Sequence, residues 1–127
     1  MSVLGIGIDV VEVVRIRESL DRFGGRFLER IFTEEERKYC LSQKRPEMNL
    51  AARFAAKEAI SKAFGTGIGR DLSWLDLEIC RGASGEPVVH LSEKGEAYAL
   101  SRGAGEIKIS LTHARHYAAA NAVLLAR

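Results

Sequence analysis

The chain has 127 residues, 46% apolar and 28% charged, a balance that supports one modest core and leads us to expect a single domain over 1–127. A formal net charge of +2, with no basic run interleaved with aromatics, gives no footing for nucleic-acid binding, and no stretch approaches the roughly 18 to 20 apolar residues of a membrane-spanning helix. The start lacks the basic-then-apolar order of a secretory signal, and Cys40 and Cys80 stand outside any CxxC pair, so the expectation is a cytosolic domain whose cysteines serve packing.

The first element predicted is a strand over 3–11, β-branched and alternating, with Leu4, Ile6, Ile8 and Val10 on one side. Gly5, Gly7 and Asp9 share the other side, so a carboxylate sits beside residues with almost no side chain and room is left around it. Residues 12–28 read as a basic helix interrupted at Gly24-Gly25. Thr33 with Glu36 three residues later forms a capping box that starts another helix, and Pro46 lies beyond its end. The strongest helix spans 50–64, dense in alanine and stopped by Gly65, Gly67 and Gly69. Strands follow over 75–79 and 88–91, separated by the turn 82–87, and Ser92 caps a helix running to about Ser101. A strand over 107–112 precedes a last segment, 117–125, which pattern makes a strand and alanine content would equally suit as a helix.

Glu58 and Lys62 are four apart on the strongest helix and share a face with Phe54. They read either as a surface ion pair or as part of a site, and Asp9 reads either as a strand-end or capping residue or as a ligand. Should Asp9 and Glu58 converge, two hard oxygen donors would leave most of an octahedral magnesium shell to water and phosphate, with a lysine to offset phosphate charge. The glycine runs do not make a phosphate loop: Gly5-Ile6-Gly7 lies within a strand, Gly65-Thr66-Gly67 follows a helix, and no Gly-Lys-Ser/Thr triplet exists. His113 follows Ile107, Ile109 and Leu111 on one side of a strand and reads as a hydrogen-bonded core histidine or as a site residue. Arg15 and Arg22 are seven apart and Arg22 and Arg26 four apart, so on a continuous helix all three would share a broad face, solvated or docking.

Three segments together carry a resemblance: Gly5-Ile6-Gly7-Ile8-Asp9; Arg53-Phe54-Ala55-Ala56-Lys57-Glu58-Ala59 with Ser61-Lys62-Ala63-Phe64-Gly65-Thr66-Gly67; and Ser110-Leu111-Thr112-His113. From about residue 3 to about residue 125 the chain closely resembles the holo-acyl-carrier-protein synthases, the short-chain group of the 4'-phosphopantetheinyl transferases. The resemblance implies the α+β phosphopantetheinyl transferase fold, a small antiparallel sheet packed with one long helix and shorter helices. It implies transfer of the 4'-phosphopantetheine arm of coenzyme A to a serine of an acyl carrier protein, in support of fatty acid biosynthesis. It implies magnesium, with manganese as an alternative, on Asp9 and Glu58; coenzyme A contacts from Arg53, Lys62, Gly65, Pro87 and His113; and a homotrimer. It also favours the strand over 117–125.

Where the family often has Asn or Asp before its Gly-x-Pro element, this chain has Ser84. Arg53 projects roughly 140° around the helix from Glu58, so if both touch one ligand, two subunits must supply them. The acidity of carrier proteins makes Arg15, Arg22 and Arg26 the candidate docking residues. The rival from another class is a non-catalytic module of the same fold that binds coenzyme A or a carrier protein, against which the joint presence of Asp9, Glu58 and Lys62 argues.

Overall fold

A computed structural model describes residues 2–127. Its elements in chain order are β1 (Val3–Glu12), α1 (Val13–Phe23), α2 (Gly25–Ile31), α3 (Glu34–Leu41), α4 (Pro46–Phe64), a 3-10 turn (Trp74–Asp76), β2 (Leu77–Arg81), β3 (Pro87–Leu91), α5 (Glu93–Ser101), β4 (Ala104–His113) and β5 (Tyr117–Ala126). β1, β5 and β4 form an antiparallel sheet in that order, and β2 and β3 form a separate hairpin. The α+β expectation holds, and 117–125 is a strand paired on both sides. Several boundaries move by one to four residues, β4 for example starting at Ala104 and not at Ile107, and two of the shifts have a clear local cause. Helix α4 begins at Pro46, four residues before Leu50, because proline suits a first helical turn that needs no amide donor. The strand expected from Leu75 begins at Leu77, because Asp76 accepts from the Ser73 amide at 2.8 Å and closes a tight turn there.

Helix α4 lies across one face of the three-stranded sheet, and the contact is almost side-chain-free. A Cβ added to Gly5 would collide with the carbonyl oxygen of Ala63, and one added to Gly7 with that of Ala59. The β5 residues on the same face, Ala118, Ala120 and Ala122, are small and buried. The room expected around Asp9 is therefore filled by helix backbone, which only glycine admits at this distance. On the opposite face Leu4, Ile6, Ile8 and Val10 are exposed, Ile6 at 69%.

Away from the sheet, α4 is held by a buried ion pair. Lys57 and Glu36 are both 0% exposed at the side chain, with Lys57 Nζ 2.7 Å from Glu36 Oε1. Lys57 also donates to the carbonyls of Ile31 (2.7 Å) and Trp74 (3.0 Å), which uses all three ammonium donors. Glu36 in turn accepts from the Thr33 amide at 2.8 Å, completing the predicted capping box, and from the Ile79 amide at 2.7 Å. Five segments thus meet on one pair of charges. Burial pulls the Lys57 ammonium below the usual lysine range, and Glu36 opposes that pull.

Removing one member of such a pair leaves an uncompensated buried charge, at a cost of about 3–5 kcal/mol. Lys57→Met, which keeps the bulk of the chain, is expected to lose about that much stability in urea denaturation. The double variant Lys57→Met/Glu36→Leu should recover part of the loss. A loss from the single variant below about 1 kcal/mol, the scale of an exposed pair, would show that the pair anchors nothing.

Candidate active site

β1 delivers Asp9 to the side of α4 on which Glu58 and Lys62 lie one turn apart. Lys62 Nζ stands 3.0 Å from Asp9 Oδ1 and donates to the Ile8 carbonyl at 3.1 Å. Among the described residues the ion pair that forms is therefore Lys62 with Asp9, and the helix-surface pair Glu58–Lys62 is not made. Glu58 is half-buried, and burial raises its carboxyl above the usual range; the Asp9 charge adds to that rise and Lys62 opposes it. Two carboxylates are thus close enough to feel each other, with one lysine between their demands. They open onto a cleft of about 550 Å³ that Arg15 and Phe54 also line.

Arg53 occupies a different place, as the helical phase requires. It is 5% exposed, and its guanidinium carbon sits 4.6 Å from the centre of the Tyr39 ring. Arg81 covers the same ring at 5.3 Å and donates to the Tyr39 hydroxyl at 3.0 Å. The Arg53 Nε is buried and has no hydrogen-bond partner among the described residues, an orphaned cationic donor of the kind that awaits an anion. A cleft of about 190 Å³ joins Arg53 to Tyr39, Arg81, Pro87 and His113. His113 is exposed at the end of β4, so of its two readings the core histidine falls: the core-facing side chains Ile107, Ile109 and Leu111 stop one turn of the strand before it. Gly65 closes α4 in a left-handed conformation (φ 80°) and lines neither of these two clefts.

Arg15 and Arg22 are exposed on α1, and Arg15 carries an ion pair to Glu12 at 3.1 Å. The chain breaks at Gly24 (φ 54°), so Arg26 belongs to α2, and the shared face expected of a continuous helix does not extend to it. Tyr39 and Arg81 were absent from the sequence expectations. Tyr39 lies in the last turn of α3, whose sequence signal marks only its start, and Arg81 ends β2 beside the turn; neither has a local pattern that points to the other.

Residues 5–122 match the sequence profile of the 4'-phosphopantetheinyl transferase superfamily. The chain is 49% identical to the holo-[acyl-carrier-protein] synthase of Chlamydia trachomatis over 94% of its own length and 97% of the relative's. The crystal structure of holo-[acyl-carrier-protein] synthase from Neisseria meningitidis superposes with a TM-score of 0.92 at 32% identity, covering 98% of this chain and 99% of that one. The Helicobacter pylori synthase in complex with coenzyme A gives 0.85 at 33% identity, covering 94% and 99%. With a carboxylate pair and lysine on one side of α4, an orphaned arginine on another, and this agreement along nearly its whole length, the chain belongs to the 4'-phosphopantetheinyl transferase superfamily.

Proposed function

We infer that this chain is a holo-[acyl-carrier-protein] synthase, which moves the 4'-phosphopantetheine group from coenzyme A to a serine of an apo acyl carrier protein and releases 3',5'-ADP. The observation that carries the reading is the convergence of Asp9, Glu58 and Lys62 at one cleft. The similar synthases, one of them holding coenzyme A, supply the substrate class. A role in fatty acid biosynthesis and a cytoplasmic location go with this activity. A non-catalytic binder has no need of a half-buried carboxylate beside a second one, an arrangement in which burial, and then the Asp9 charge, raise the Glu58 carboxyl.

Asp9 and Glu58 fit a small divalent cation, magnesium or manganese: both are oxygen donors, and their mutual repulsion is what a divalent charge relieves. When bound, such an ion draws charge from the pyrophosphate of coenzyme A and lowers the barrier to displacement. Lys62, half-exposed and already at Asp9, is positioned to turn its ammonium onto a phosphate oxygen once Asp9 is otherwise neutralised. The serine oxygen attacks the phosphorus nearer pantetheine while its proton passes to Glu58 or to water, the bond from that phosphorus to the bridging oxygen breaks, and the electron pair leaves with 3',5'-ADP. Positioning by the cleft supplies much of the rate.

The second cleft supports a shared site. Arg53, Pro87 and His113 cannot face the Asp9–Glu58 cleft of their own chain, but in a ring of copies one chain's Arg53 cleft can complete its neighbour's. The exposed Leu4, Ile6, Ile8 and Val10 form an apolar strip suited to that contact. A homotrimer is the assembly proposed, with Gly65 near the coenzyme A path.

The direct test is incubation with coenzyme A, magnesium and an apo carrier protein, with the carrier's mass read for the added arm. Asp9→Ala and Glu58→Gln are each expected to remove most of that activity at saturating magnesium, and near-normal turnover by either ends the site assignment. Glu58→Gln carries a second readout. A carboxyl raised on folding loses stability as pH climbs from its unfolded range, about 4.3, through its folded range. The amide variant should therefore melt above the parent at neutral pH without divalent ions, and the gap should close in acid. Magnesium should raise the parent's Tm and leave the variant's unchanged.

Subunit sharing is read by mixing inactive Arg53→Ala and Glu58→Ala chains: random assembly leaves about one site in four intact, so activity should return. An active monomer in light scattering, or no recovery, excludes sharing. For the carrier, reversing Arg15 and Arg22 to Glu should raise its KM far more than that of coenzyme A and blunt the salt dependence, while Arg26→Glu, on its separate helix, should do less. Equal effects on both substrates would sink the docking surface.

A further inference from the structure

The β2–β3 hairpin carries a second group of ligating side chains, on another face of the molecule from the paired carboxylates. Glu78 and Cys80 are two apart on β2 and share a side of the strand, while Leu77 and Ile79 take the buried side. His90 lies directly opposite Glu78 in the antiparallel register. One ligand atom from each of Glu78, Cys80 and His90 lies within 4.8 Å of the other two. Cys80 Sγ is 3.3 Å from Glu78 Oε1, and His90 Nδ1 is 3.7 Å from the same oxygen. Tetrahedral zinc, at its usual bond lengths, requires sulfur, nitrogen and oxygen ligands about 3.4 to 3.6 Å apart. Two of the three edges already have nearly that length, and the third, between Cys80 and the exposed His90, lies within 4.8 Å.

The carboxylate is also oriented. Thr33 Oγ1 donates to Glu78 Oε2 at 2.6 Å, which occupies that oxygen and leaves Oε1 turned to the thiol and imidazole. Hydrogen bonds of this outer kind hold metal ligands in place. The mixed sulfur, nitrogen and oxygen set selects a borderline transition metal over magnesium, which takes oxygen alone.

We propose that Glu78, Cys80 and His90 form a three-ligand site for a divalent metal ion of the zinc type, with the fourth position left to water. Thiolate and carboxylate together balance the two charges of the ion. Sulfur binds the ion as thiolate, so binding must expel the Cys80 thiol proton and strengthens as pH rises. Cys80 also lines the Arg53 cleft, so the ion sits at the edge of the surface proposed for coenzyme A.

The test is titration of the intact protein with cobalt(II), a coloured stand-in for zinc, at mildly alkaline pH. One equivalent per chain should bring a thiolate-to-cobalt charge-transfer band together with tetrahedral d–d absorption, and zinc should bleach both. Cys80→Ser should abolish the charge-transfer band, and His90→Gln, on an exposed ring, should weaken binding at least tenfold. Asp9→Ala should leave the spectrum intact, which separates this site from the one proposed for magnesium. A spectrum without the band at excess cobalt overturns the proposal; so does a band that survives Cys80→Ser, which would belong to Cys40, or one indifferent to His90→Gln.

Discussion

The carbonyl oxygens of Ala59 and Ala63 rest against the backbone of β1 where Gly7 and Gly5 stand, closer than any side chain would allow. This contact sets the distance between strand and helix, and so the distance between Asp9, two residues beyond Gly7, and Glu58 and Lys62 on the adjoining turns of α4. An alanine-rich inner face on β5 keeps the rest of the sheet at the same depth. The helix is correspondingly buried along most of its length, with Glu58 and Lys62 among its few accessible positions. The acidic cleft follows from an absence of side chains next to it.

The other side of α4 works by opposite means. There the anchor is the fully buried Lys57–Glu36 pair, each of whose hydrogen-bonding positions meets a backbone group or the other charge. Ion pairs of this kind add little net stability over apolar packing but tolerate no partial replacement. Adjacent residues on one helix, Lys57 and Glu58, thus have unlike tasks: the first is locked into the fold, and the second is left with a repelling neighbour and a raised carboxyl.

Local signals in the sequence translated well. The Thr33 capping box, the Ser92 cap, the Gly65 stop and the glycine break before α2 are all present, because each depends on residues within one turn of one another. The 140° between Arg53 and Glu58 likewise separates two clefts, since helical phase is arithmetic. Pairings across the chain were not legible. Lys57 finds partners at positions 31, 36 and 74, Lys62 turns to Asp9 and not to Glu58, and Arg53 shares a ring with Arg81. The glycines of β1 were recognised as marking space, but whether that space holds a ligand or a helix is decided by tertiary packing alone.

The same two glycines settle which way β1 can be threaded beside β5. Four of the five residues from Ala118 to Ala122 are alanine, so β5 offers almost nothing to distinguish one alignment of its neighbour from the next. A slip of a single residue would turn Ile6 and Ile8 toward the helix carbonyls and swing Asp9 to the outer face. No bulky side chain fits against those carbonyls, so the slipped alignment is excluded by hard contact. Gly5 and Gly7 therefore act as a template against mispairing during folding, and every chain that closes its sheet presents Asp9 on the side where α4 is.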